Sequence, residues 1–314
     1  MLGAMLGGAT ECLVTPETHF KQRILVGFQT QPTRTISADQ FLASLFDTSE
    51  LSFWGIRVER EMLPTTVNRA LVRHSLDAVL RVYGTSQQKC DATVWIDHTP
   101  VNIKSSLLLD AFYPDAKFIH IVRDPRAVGA SVLKLEWGPN TPRDFAHWWA
   151  THMAHGLATE HRFGERCLRV RYEDILENSE TALRRVCEFA EIAYCPEMLS
   201  RQRFEVPSYS ANQHHLVGGR PDTSRASAWK RELHPLSAWK IGSVLGELIE
   251  LFGYEAASRE TPIVTVMERV RWRIGIGVQL VLGTFKRKRL RLRRRKQRKA
   301  IEVMNSEVKD KTSC

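Results

Sequence analysis

The 314-residue sequence has no CxxC pair, and its six cysteines, at 12, 90, 167, 187, 195 and 314, follow no regular spacing. That argues against a zinc knuckle and against a disulfide framework, and sets a reducing compartment as the expectation. No run of 18 apolar residues occurs, so no transmembrane helix is predicted. The opening MLGAMLGGAT places no basic residue ahead of its apolar ones and does not read as a signal peptide. Cytoplasmic residence, with peripheral contact at a membrane as an extension of it, is the resulting expectation. HExxH is absent, and the glycines at 3, 7 and 8 are followed by no Lys-Ser or Lys-Thr pair of a Walker loop. No metal ion is expected.

What is present is an apolar content of 43%, enough for a large core, and a charge that is unevenly spread. Residues 286–299, KRKRLRLRRRKQRK, hold eleven basic residues and no acidic one; taking these from the formal +10 leaves the rest at −1. The folded part is therefore near neutral and carries a basic tail. The expected organisation is one domain over 1–255, a C-terminal helix over 256–285 and a basic, disordered tail over 286–314. Within the helical segment an apolar stretch containing Trp272, Ile274, Ile276 and Val278 leads into the basic block. That order suits an anionic membrane surface, an electrostatic grip on nucleic acid, or a merely solvated tail.

The chain is organised around Ala116 to Ser131. Phe118 to Val122 is a short β-branched run that favours an interior strand. Asp124-Pro125 breaks it, and Pro125 suits the first turn of a following helix. Arg123 then stands at the strand's C-terminal tip, with Ser131 about two turns into the helix. Ligands of open α/β sheets bind at that edge, and an arginine fork with a hydroxyl near a helix start is a phosphate clamp. The alternative is a surface arginine paired with Asp124.

Similar strand-then-break units recur. Thr93 to Pro100 ends in Asp97, His98 and Thr99, with a helix over Asn102–Phe112 and parallel pairing to the Phe118 strand expected. Cys167 to Arg171 is a third strand, with Tyr172 at its end, where a ring can stack on a base or close the sheet. Thr15-Pro16-Glu17 reads as a helix start with Thr15 as N-cap, and Glu17 with His19 also suits proton transfer. Helices are predicted over Ala38–Phe46, Asn68–Tyr83, Thr141–Phe163, Asn178–Ile192 and Pro235–Phe252, the last ended by Gly253. Met198 to Arg225 is irregular, and the arginines, lysine and tryptophan that follow it suit a lid over an anion.

PETHF (16–20), WIDHTP (95–100), FIHIVRDPRAVGAS (118–131), RYEDI (171–175) and SRASAWKREL (224–233), in that order, resemble the motifs of bacterial-type sulfotransferases that use 3'-phosphoadenosine-5'-phosphosulfate. The resemblance covers roughly residues 2–253. It implies an α/β fold with a parallel sheet flanked by helices, like that of P-loop nucleoside triphosphate hydrolases. It implies that Arg123 and Ser131 hold the 3'-phosphate, with Arg225, Trp229 and Lys230 in a segment closing over it, and that Tyr172 approaches the adenine. Glu17 corresponds to the carboxylate that deprotonates a hydroxyl-bearing (or amine) acceptor, with His98 a weaker base. The acceptor itself, whether carbohydrate, lipid, peptide or small metabolite, is not specified.

One family element, a 5'-phosphosulfate loop of the PRSGTT or PKSGTT kind expected just before LGAMLGG, is not among these residues. A misassigned or truncated start is the expectation. The competing readings are a small-molecule kinase on a related scaffold, and a catalytically impaired nucleotide-binding relic whose basic tail binds nucleic acid or membrane.

Overall fold

Short strands that end in polar residues, each followed by a helix, are what this sequence pattern encodes, and the chain builds its fold from them. The computed structural model describes residues 1–46, 54–135, 137–200, 223–256, 258, 260–285 and 292. Helix α1 (Leu2–Leu6) precedes strand β1 (Cys12–Thr15), helix α2 (His19–Thr30), strand β2 (Thr35–Ser37) and helix α3 (Ala38–Phe46). Strand β3 (Thr66–Asn68), helix α4 (Val72–Ser86), strand β4 (Val94–Asp97) and helix α5 (Ser106–Asp110) follow. Next come strand β5 (Phe118–Val122), helices α6 (Pro125–Val132) and α7 (Pro142–Phe163), strand β6 (Cys167–Arg171), and helices α8 (Tyr172–Glu177) and α9 (Ser179–Ala190). Helices α10 (Glu197–Ser200), α11 (Ser224–Ser227), α12 (Trp229–Glu232) and α13 (Pro235–Leu245), then α14 over 266–285, complete the described elements.

The residues form two compact units. One draws on Met1–His120, Thr159–Leu168 and Asn178–Pro221; the other on Ile121–Ala158, Arg169–Glu177 and Asp222–Cys314. In the first unit β1 pairs in parallel with β4, with Thr15 opposite Asp97, and β2 pairs antiparallel with β3. Its core gathers Leu25, Phe28, Phe41 and Leu45 around α2 and α3, all without solvent contact or nearly so. In the second unit Val122, Phe145, Trp149, Ile241 and Ile249 form a separate core. The 3-10 turn Glu250–Phe252 of that unit closes at Gly253, whose φ of +75° is a left-handed position that favours glycine.

Strand β5, strand β6, α3 and the opening of α6 stand where the sequence predicts them. Five expectations need correction. The helix predicted over Pro235–Phe252 ends at Leu245, where Gly246 takes φ +53°, and the chain goes on in two 3-10 turns. β1 was not anticipated; Cys12 to Thr15 is a four-residue run, buried throughout, too short for periodicity to reveal. Because Thr15 completes the ladder opposite Asp97, it is not an N-cap, and α2 starts at His19 instead. The partner of β4 is β1, not β5, which pairs with β6. The helix expected over Asn102–Phe112 is split into a 3-10 turn (Pro100–Lys104) and α5, because Ser105 between them has φ −124°. Residues 201–222, most of the expected irregular region, lie outside the described residues.

Gly8, between α1 and β1, sits against α10. A Cβ placed there would lie 2.8 Å from the backbone N and Cα of Met198. Backbone yields less readily than a side-chain tip, so Gly8→Ala is expected to destabilise the fold by about 1–3 kcal/mol. Urea unfolding measures this, and an unchanged midpoint would show that α1 does not seat on α10 as described.

Candidate functional site

In the first unit the parallel pairing of β1 and β4 aims both C-terminal ends the same way. Glu17 and Thr18 follow one strand; Asp97, His98 and Thr99 end the other. Asp97 is the hub. Its side chain, 10% exposed, accepts hydrogen bonds from the Thr18 hydroxyl at 2.7 Å, the Thr99 amide at 3.0 Å and the Thr99 hydroxyl, and forms an ion pair with Lys21. The Thr18 amide in turn donates to the Thr99 hydroxyl at 2.8 Å. Burial works to raise the Asp97 pKa, but Lys21 and these donors outweigh it and hold the carboxyl at about 2. At Lys21 burial outweighs the pull of Asp97 and leaves the ammonium pKa below its ordinary value. Lys21 also lies over the Trp95 ring, 5.1 Å from its centre, and the Trp95 indole N–H donates to the Thr15 hydroxyl at 3.0 Å.

The two candidate bases follow the same two strands, β1 and β4. Glu17 and His19 meet at 2.7 Å, each side chain about one-third exposed. His98 is solvent-accessible, yet its ring is crowded from one side: a Cβ on Gly3 would meet its Cδ2 at 3.2 Å. That partial desolvation lowers the His98 pKa, against the pull of Asp97 and Glu17. A lowered pKa favours the neutral imidazole, the form that can accept a proton.

The second unit carries the cationic cluster. Asp124 caps α6, its carboxylate accepting from the Arg126 amide at 2.8 Å and from the Arg126 guanidinium at 2.8–3.2 Å. Arg126 in turn lies 4.3 Å from the centre of the Trp229 ring. The Asp124 amide donates to Glu173 at 3.1 Å, and the Tyr254 hydroxyl donates to the other Glu173 oxygen at 2.7 Å. Burial, then the Glu173 charge, pushes the Tyr254 phenol well above its ordinary range, which keeps it a donor. The turn after β5 is thus fixed from both sides.

Arg123, at the tip of β5, is not the partner of Asp124 that the alternative sequence reading supposed. It lies over the Tyr172 ring at 4.2 Å and donates from Nη2 to the Arg225 carbonyl at 3.3 Å. Its Nε is shielded from solvent and has no acceptor among the described residues, and Arg123 forms no ion pair among them. Arg225 pairs with Glu232 at 3.0 Å. Of the residues singled out in the sequence, Arg123, Tyr172 and Arg225 therefore meet, and Trp229 joins through Arg126. Ser131 and Lys230 are less committed: the Ser131 hydroxyl donates back to the Ala127 carbonyl at 3.4 Å, and Lys230 is exposed.

Sequence reasoning passed over Lys21, Arg126, Glu173 and Tyr254. Lys21 had a signal: it shares helical spacing with Ile24, Leu25 and Phe28, a charge on a core-facing stripe. Tyr254 had none, since nothing local ties it to Glu173.

The Asp97 hub gives a pH prediction. Its folded pKa, about 2, lies below the ordinary 3.8. The stability it contributes is complete above about pH 4 and is lost as pH falls through about 2, an effect of about 2 kcal/mol. Denaturation at a series of pH values should show that acid-side slope in the wild type and a shallower one in Asp97→Asn. Equal slopes would contradict the hub.

A family model described as the Sulfotransferase family matches residues 1–196. Protein-tyrosine sulfotransferase A of Caenorhabditis elegans is 26% identical over 110 residues, 33% of this chain, and the chain spans only 29% of that relative's length. The solved sulfotransferase domain from the curacin biosynthetic pathway is 20% identical with a TM-score of 0.51, over 81% of this chain and 93% of that one. A solved sulfotransferase domain from the Synechococcus PCC 7002 olefin synthase gives the same identity and TM-score, over 81% and 90%. These likenesses establish the fold: α/β, of the P-loop-like sulfotransferase kind. The family match extends over more than half of the sequence, from α1 through the strand-end residues of β4, β5 and β6, and the chain belongs to the sulfotransferase family.

Proposed function

We propose that the chain transfers a sulfuryl group from 3'-phosphoadenosine-5'-phosphosulfate to a hydroxyl, or an amine, of an acceptor. The observation that carries this is Arg123: a cation at a strand tip beside a helix start, with Nε shielded and unpartnered among the described residues. A buried donor without an acceptor is costly unless a ligand completes it, and a phosphate offers the matching bidentate geometry. Asp124 is spent on Arg126, so Arg123 keeps its charge for a ligand. The Tyr172 ring beside it is an aromatic face for a base. Ser131, Arg225, Trp229 and Lys230 are proposed to support the same 3'-phosphate and its nucleoside.

Glu17 is proposed as the group that takes the acceptor's proton, with His98 as the second candidate. The acceptor oxygen then attacks sulfur, the bond from sulfur to the 5'-phosphate oxygen breaks, and adenosine 3',5'-bisphosphate leaves with the negative charge. His19 at 2.7 Å orients the Glu17 carboxylate. The name of the nematode relative states a protein-tyrosine acceptor. A tyrosyl hydroxyl is accordingly one member of the acceptor class proposed here.

Calorimetric titration with adenosine 3',5'-bisphosphate tests the clamp. The wild type should bind it more tightly than AMP, and Arg123→Ala should weaken binding at least tenfold, about 1.4 kcal/mol. Unchanged affinity would remove Arg123 from the clamp, and preference for ATP would favour kinase chemistry instead. Glu17→Gln should lower the rate of bisphosphate release, measured against a panel of hydroxyl acceptors, by about a hundredfold while leaving bisphosphate affinity intact. An undiminished rate would move the proton-accepting role to His98.

A further inference from the structure

Helix α14 turns its apolar side outward. Its start is locally encoded by a capping box: the Thr265 amide and hydroxyl both donate to the Glu268 carboxylate at 2.8 Å, and the Glu268 amide donates to the Thr265 hydroxyl at 3.2 Å. Its contact with the rest of its unit lies along one line. The Trp272 indole N–H donates to the Ser237 hydroxyl at 2.8 Å, its ring stacks on His234, and three turns further Gly283 is buried against Asn140. Away from that line, Met267, Val270, Ile274, Val278, Val281 and Phe285 recur at spacings of three and four residues. Each is between 47% and 65% exposed. Such spacing keeps them on one stripe, about 30 Å long.

We propose that α14 is a docking surface for an anionic lipid bilayer, lying in the plane of the headgroups with this stripe in the acyl region. Two observations select that occupant. The stripe is apolar and continuous, which nucleic acid has no use for. Arg269, Arg271 and Arg273 stand on the same helix, and the eleven basic residues of 286–299 begin immediately after it. Those charges attract a negative surface and repel a second copy of the chain. Among the described residues no helix is long and apolar enough to cross a membrane. An apolar stripe flanked by arginines on a helix of this length instead suits the interface.

Sedimentation of the full chain with vesicles tests this. Vesicles of phosphatidylcholine and phosphatidylglycerol in equal parts should pellet the protein at least tenfold more efficiently than pure phosphatidylcholine, less so as salt rises. The triple variant Val270→Gln, Ile274→Gln, Val278→Gln should lose at least tenfold of that binding, with circular dichroism confirming retained structure. Binding that survives the triple variant would mean that charge alone acts and would overturn the proposal. So would the absence of vesicle binding, or retention on double-stranded DNA at the same salt with none on vesicles.

Discussion

The bidentate pairing of Asp124 with Arg126 is the interaction on which the turn after β5 depends. It does three things at once: it caps α6, it neutralises the carboxylate that follows Arg123 in the chain, and it sets Arg126 over Trp229. A buried ion pair of this sort adds little net stability compared with apolar residues, yet losing one partner costs roughly 3–5 kcal/mol. Its value here is positional. Had Asp124 turned to Arg123 instead, the strand tip would present a neutralised pair.

The same logic operates at the β1 and β4 strand ends. Asp97 is committed to Lys21, Thr18 and Thr99, so it is ionised and unavailable as a base. The groups left accessible are Glu17, His19 and His98. In both units, then, a buried carboxylate with saturated hydrogen bonds fixes a strand-end turn, and the neighbouring side chain keeps its chemistry. Glu173, taking donors from the Asp124 amide and Tyr254, repeats the pattern a third time.

Much of this was legible in the sequence because it is local. The apolar run Phe118–Val122, the break at Asp124-Pro125 and Pro125 in the first turn of α6 are all encoded within fifteen residues, and the structure reproduces them. Strand β1 was missed because four residues carry no periodicity, and its discovery moved the start of α2 and changed the partner of β4. The pairing of Asp124 was open from sequence alone, since Arg123 and Arg126 are both within reach of it; only the turn geometry selects Arg126. Lys21 is passed over in the sequence reading although it stands as a charge on an apolar stripe. Tyr254 carries no such signal, because its partner Glu173 lies far away in sequence. The apolar stretch of α14 was recognised, but its outward orientation follows from Trp272 and Gly283, which no pattern marks as contact residues.

The most direct test of the central claim is to watch the Arg123 Nε–H itself. In a nitrogen-15 labelled sample, one arginine Nε–H resonance, assigned by its disappearance in Arg123→Lys, should move strongly when adenosine 3',5'-bisphosphate is added. It should stay in place when AMP is added, because AMP lacks the 3'-phosphate. That result would give the shielded donor its acceptor. A resonance unmoved at saturating bisphosphate, or moved equally by AMP, would contradict the assignment of Arg123 to the 3'-phosphate.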